Sequence, residues 1–258
     1  MESTDIVPAL EIVNVSKEFR LESGEVVMGA RNQNLRIESG EFVCVIGPSG
    51  HGKSTLLNMI AGFTSPTAGS IQVAGRPVTK PGPDRGVVFQ RDTLFLWKRV
   101  DENIEFGLKA QGVPKAERTK IVSELLKVTG LQAFAKAWPK QLSGGMRRRV
   151  AIAAVLANKP DVLLMDEPFA GLDYLRLSQM HSFLLDLWQE SGHRAVVMVT
   201  HDVDEAISLA DRVVLVKNGT IALNKRVDLP RPRTASDITG DQANELRAEL
   251  LRAFESEN

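Results

Sequence analysis

Absence narrows this sequence before any motif does. The 258 residues hold one cysteine, one tyrosine and only 5% aromatics in all. A single cysteine forbids a disulfide framework within the chain, which suits a reducing cytoplasm. Cys44 itself stands in the apolar run Phe42-Val43-Cys44-Val45-Ile46, where a buried structural thiol is expected rather than a reactive one. Neither sign of charge is in excess, since 32 basic side chains balance 32 acidic ones. The overall charge therefore offers no footprint for nucleic acid. No apolar run approaches the roughly 20 residues of a membrane helix; residues 162–165 and 195–199 are among the longest. The opening Met1-Glu2-Ser3-Thr4-Asp5 is acidic and has no apolar core, unlike a signal peptide. Any service to a membrane is expected from outside the bilayer.

What remains is an ordinary globular composition, 43% hydrophobic and 25% charged. The length suits one domain of two lobes or two small domains. Patchy apolar alternation over residues 10–15 and 25–37 predicts strands, and 69–78 adds another strand-like stretch. Residues 42–46 read as a short strand buried on both faces. After a glycine-rich turn, residues 53–61 have helical spacing. The middle section, about 91–160, is helical in pattern; Pro114 opens one helix, Gly130 closes it, and a second runs over about 145–158. Buried strands at 162–165 and 195–199 flank a helix near 178–189. An Asn218-Gly219 turn predicts a hairpin between 212–216 and 220–223. Beyond Asp228, residues 229–233 read as an extended linker, and 241–255 fit a short amphipathic helix.

Gly47-Pro48-Ser49-Gly50-His51-Gly52-Lys53-Ser54 fits the phosphate-binding pattern G-x-x-x-x-G-K-S, between a strand and a helix as that pattern requires. Glycines let backbone N–H groups curl around phosphate oxygens, and a helix start turns its positive end toward them. Lys53 is then expected to bridge the β- and γ-phosphates of ATP, and Ser54 to ligate Mg²⁺. The nucleotide-binding stretch extends through Thr55. Val162-Leu163-Leu164-Met165-Asp166-Glu167 supplies the second half, a core strand delivering Asp166 to the metal and Glu167 to an attacking water.

Leu142-Ser143-Gly144-Gly145-Met146, ahead of a helix, reads locally as an N-cap or as a phosphate-binding turn. The order of the P-loop, Gln90, this segment, Asp166-Glu167, Leu172-Asp173 and His201 resembles the ABC ATPase family to about residue 223. The resemblance implies an α/β fold: a P-loop NTPase core with a mostly parallel sheet, an N-terminal antiparallel β subdomain and a helical subdomain. It implies an ATPase domain over 1–228, with 229–258 as linker and helical tail.

The resemblance also implies roles. Phe19 corresponds to an aromatic stacking on adenine, with a core phenylalanine as the plain alternative. Gln90 corresponds to a glutamine contacting Mg²⁺ and sensing a permease, and His201 to the histidine on the γ-phosphate. Ser143, Gly144 and Gly145 are expected to bind ATP held by a second subunit, across a dimer that Asp173 also helps to form. The implied partners are integral membrane permease subunits, a second copy of the chain and an extracytoplasmic solute-binding protein, at the cytoplasmic face of the membrane. No nucleic acid is expected.

Residues 81–90, Leu185-Asp186-Leu187-Trp188, 200–206 and 229–233 resemble the ATPases of nitrate, sulfonate and taurine importers. His51, Arg148, Ala154 and the order Ala170-Gly171 depart from the usual pattern. The rival reading is an ABC ATPase acting on nucleic acid or ribosomes. Residues 93–97, with Phe95 and Trp97, are the expected permease contact, the alternative being that these rings fill the helical lobe's own core.

Overall fold

A strand that is apolar at every position, such as residues 42–46 or 195–199, needs cover on both faces, and five parallel strands build the centre of this molecule. The structure, a computed structural model, describes residues 7–255 apart from 92, 191 and 193. In chain order the first lobe carries β1 (Leu10–Arg20), β2 (Val26–Ile37), β3 (Phe42–Ile46), α1 (Lys53–Ala61), β4 (Ala68–Val73), β5 (Arg76–Pro77) and β6 (Arg85–Val88). The helical lobe follows with α2 (Val100–Ala110), α3 (Lys115–Val128) and α4 (Gly144–Leu156). The chain then returns through β7 (Val162–Asp166), α5 (Tyr174–Glu190), β8 (Ala195–Val199), α6 (Val203–Leu209), β9 (Arg212–Lys217) and β10 (Thr220–Arg226). It ends with α7 (Ala235–Thr239) and α8 (Asp241–Glu255).

One sheet has the order β10-β9-β3-β8-β7-β6, parallel except for β10 at its edge. The other, β2-β1-β4-β5, is antiparallel. In β3, Phe42, Cys44 and Ile46 face a core shared with α5, α6 and α8, whereas Val43 and Val45 face α1 and the antiparallel sheet. The unbroken apolar run is thus two alternating faces, each covered. Cys44 is fully buried, and burial pushes its thiol well above its ordinary value, as an inert structural cysteine requires. The helical lobe has its own core, built on Ile104, Leu108, Val122, Leu126 and Val150. This is the predicted α/β architecture of parallel core, antiparallel N-terminal subdomain and helical lobe.

Two stretches differ from their reading. Residues 69–78 are a hairpin of β4 and β5 rather than one strand, because Ala74 (φ 47°) and Gly75 (φ 72°) both turn left-handed. Residues 229–233 are extended but pinned to the body of the protein. The Arg231 guanidinium donates to the Asp211 carboxylate at 2.7 Å and lies over the Trp188 ring, and Arg233 donates to the Ile207 carbonyl at 2.6 Å.

Beyond them α8 buries Ala243 and Leu250 in the same core as β3. Leu250 is 0% exposed, so Leu250→Ala should destabilise the chain by about 2–5 kcal/mol. Urea unfolding measures this, and a loss below about 1 kcal/mol would mean that α8 contributes little to the common core.

Candidate nucleotide and catalytic site

The loop between β3 and α1 is glycine-rich because its backbone leaves no choice. Gly47 has φ 148° and a Cβ there would lie 2.1 Å from the Val216 carbonyl oxygen. Gly52 has φ 103° and would meet the Gly29 carbonyl oxygen at 2.3 Å. Lys53 opens α1 directly after it, so the helix's free N–H groups adjoin the loop. The loop is also stitched to the β9–β10 turn. Gly219 N–H donates to the His51 carbonyl (3.1 Å), and Asn218 N–H donates to His51 Nδ1 (3.1 Å). His51, unusual at its position, therefore braces the loop, and its Nδ1 accepts with the ring proton on Nε2.

Lys53 is 7% exposed, and its Nζ donates to the carbonyls of Gly47 (2.7 Å) and Pro48 (2.9 Å). Burial lowers its pKa, while the carboxylates of Glu167 and then Asp166 oppose the shift. Asp166, at the end of β7, is shifted the other way: burial raises its pKa first, then the charge of Glu167, against Lys53 and a hydrogen bond from the Ser54 side chain. The two halves predicted from sequence are therefore one cluster.

Glu167 is the centre of a second convergence. Its φ of 42° is left-handed, a conformation costing of order 1–3 kcal/mol for a residue with a side chain. Its N–H is tied to the Val199 carbonyl of β8 at 2.9 Å. Its Oε2 accepts from Gln90 Nε2 at 3.3 Å and lies 3.5 Å from His201 Nδ1. Three residues far apart in sequence thus meet on one carboxylate oxygen.

Residues 30–170 match the family model described as ABC transporter. This chain belongs to that family. It is 50% identical over 223 residues to the nitrate import ATP-binding protein NrtD of Synechocystis sp., covering 86% of this chain and 83% of that protein. It is 43% identical over 221 residues to the taurine import ATP-binding protein TauB of Roseobacter denitrificans, covering 86% and 82%. Among solved structures it resembles the ATP-binding cassette MJ0796, a dimer in a post-hydrolysis state with ADP and phosphate bound. The TM-score is 0.73 at 33% identity, over 84% of this chain and 98% of that one. The protein is an ABC ATPase, as its motif order predicted. Among the described residues no helix is long and apolar enough to cross a membrane.

The remaining expected ABC positions divide by location. Phe19 is 39% exposed on β1, so the core alternative does not hold. Its ring lies over Gly29, where a Cβ would sit 2.5 Å from Phe19 Cε2 and 3.0 Å from Thr55 Cγ2, next to the start of α1. Lys17 Nζ lies 5.2 Å from its centroid. Ser143 is the N-cap of α4 and accepts from the Met146 N–H at 3.3 Å. A Cβ on Gly145 would meet nothing within 4 Å, and one on Gly144 only the tip of Arg147 at 3.9 Å. Asp173 is exposed and accepts from the Arg176 N–H at 3.0 Å at the start of α5. None of these three segments is joined to the Glu167 cluster by the contacts described above.

Sequence reasoning missed two positioning features. Gly29 gives Phe19 its seat, a role visible only once β1 and β2 pair. Arg148 stands out in the sequence only as a departure from the usual pattern, yet its guanidinium reaches the carbonyls of Phe89, Gln90 and Pro168.

Proposed function

We propose that this chain binds MgATP and hydrolyses it as a two-fold pair docked on separate permease subunits. The pair energises import of a small solute of the nitrate, sulfonate and taurine kind. The convergence of Gln90, Glu167 and His201 beside the P-loop lysine is the observation that carries hydrolysis. Glu167 takes the proton of the attacking water, and Lys53 neutralises phosphate charge. His201 donates to the terminal phosphate.

Gly47 to Thr55 cradle the phosphates through backbone N–H groups, with His51 bracing the turn, while Phe19 offers a face to adenine. Among the described residues no group of three His, Cys, Asp or Glu side chains could hold a metal alone. Ser54 and Asp166 nevertheless fit Mg²⁺, which keeps waters and takes phosphate oxygens to complete its shell. When bound, Mg²⁺ supplies charge stabilisation of the transferring phosphoryl group; Gln90 is the remaining polar side chain at hand.

The permease contact is the loop after Gln90. Asn103 holds that loop, accepting from the Phe95 N–H (2.8 Å) and donating to the Lys98 (3.1 Å) and Arg99 (2.9 Å) carbonyls. Trp97 is 71% exposed, against the lobe-core alternative, while Phe95 is half-buried and packs on Phe106 at 4.5 Å between centroids. A groove of about 370 Å³ runs beside them, lined by Phe95, Phe106, Ala151 and Ala154. Ala154, one of the departures from the usual pattern, lines that groove with a small side chain.

On this reading the chain works at the cytoplasmic face of the membrane, with a solute-binding protein on the other side. The balanced charge disfavours the nucleic-acid alternative. Trp97→Ala should keep Tm and intrinsic ATPase while permease affinity falls by about 2 kcal/mol or more. Co-purification in detergent measures this. Intact assembly would move the docking surface elsewhere, and nucleic acid co-purifying in place of a membrane protein would overturn the transport reading.

A further inference from the structure

We propose that Arg148 is a positioning residue for hydrolysis, fastening the backbone around Gln90 and Glu167 into one frame with helix α4. The inference rests on the assignment of those two residues above. Arg148 is 7% exposed, in the second turn of α4. Its Nη1 donates to the Phe89 carbonyl and its Nη2 to the Gln90 carbonyl at 3.0 Å, so both peptide groups of Gln90 are held by one side chain. Its Nε donates to the Pro168 carbonyl, immediately after Glu167. Glu167 is then anchored on both sides, by this bond and by its own N–H to Val199.

The side chains so aligned are the ones that meet at 3.3 Å. A planar fork of five donors serves three carbonyls in different directions, which neither a point charge nor a primary amide can reproduce. Burying a guanidinium requires such hydrogen bonds, so the frame and the arginine demand each other. α4 is one rigid element, and its N-terminus, about 6 Å from Arg148 along the axis, carries Ser143, Gly144 and Gly145. Contact made at that N-terminus is thereby tied to the geometry of Gln90 and Glu167.

The test uses the full chain with Arg148→Leu, which keeps an apolar stem, and Arg148→Gln, which keeps two donors. Misplacement of about 1 Å lowers turnover roughly a hundredfold, and Arg148→Leu should lose kcat on that scale while its Kd for MgATP holds, with a lowered Tm from the three carbonyls it leaves unpaired. Arg148→Gln should fall between it and the parent. On a Gln90→Ala background Arg148→Gln should cost less than alone, because a shared role is non-additive. Parental kcat in a folded Arg148→Leu, or full additivity with Gln90→Ala, overturns the proposal. If the leucine variant does not fold, Arg148→Gln decides: reduced kcat at held Kd supports it, and unchanged kcat overturns it. Glu167→Gln separates the levels. Turnover surviving in that variant overturns the site assignment itself, whereas its loss beside intact Arg148 variants overturns only this inference.

Discussion

Glu167→Gln should bind MgATP as the parent chain does and hydrolyse it about 10²–10⁴-fold more slowly. The substitution keeps volume and the strained backbone, and the amide oxygen still accepts from Gln90. What it removes is the acceptor for the water's proton. It also removes the second cause of the raised Asp166 pKa and the largest support for the Lys53 proton, so both pKa values should fall. Lys53→Ala should fail differently, because it deletes the buried cation on the phosphate loop and weakens binding itself. Isothermal titration for binding and single-turnover hydrolysis for chemistry distinguish the two variants. Turnover of Glu167→Gln near the parental rate would assign the base to another group.

Much of this site was legible because its chemistry is local in sequence. The P-loop glycines, Lys53 and Ser54 lie within eight residues, and a strand before and a helix after are required by the loop's own geometry. The apolar run ending at Asp166 likewise announced a strand edge. Gln90 and His201 came only through the order of motifs, because their meeting on Glu167 depends on β6, β7 and β8 lying side by side.

What sequence did not yield were contacts made through backbone atoms. Arg148 reads as one more basic residue on a helix, and nothing in its spacing reveals three carbonyl partners. The β4–β5 hairpin was missed because its turn begins with Ala74, a residue without the turn signal of Asn218-Gly219. Residues 229–233 have the composition of a linker, and only the positions of Asp211, Leu209 and Ile207 make them an anchored strap.

Ser143→Arg and Lys53→Ala should each abolish hydrolysis alone, yet recover part of it when mixed. Gly144 and Gly145 in the first turn of α4 cost helix stability, about 1 kcal/mol each relative to alanine. Neither has a left-handed φ, and within this chain a Cβ would find open space at Gly145 and only the tip of Arg147, at 3.9 Å, at Gly144. Among the described residues their smallness meets no steric need inside the subunit, which supports the proposed approach of a second subunit. The N-terminal end of α4 at the exposed Ser143 suits phosphate oxygens, and a two-fold pair would bring it to the partner's P-loop while presenting the reciprocal contact. In a mixed pair, the Ser143→Arg chain keeps a sound P-loop and the Lys53→Ala chain keeps a sound α4 N-terminus. One of the two sites then has both intact halves, and the other has both defects. Random pairing at equal concentration makes half the dimers mixed, so recovery should reach up to roughly a quarter of parental activity. Each variant alone should still show whether the assignment is specific: Ser143→Arg monomer binds nucleotide normally, because its own loop is untouched. ATPase assays on the mixture, with mixed dimers verified by two affinity tags, measure the recovery. Its absence in verified mixed dimers would mean that each subunit completes its own site and that α4 turns its glycines to something other than ATP.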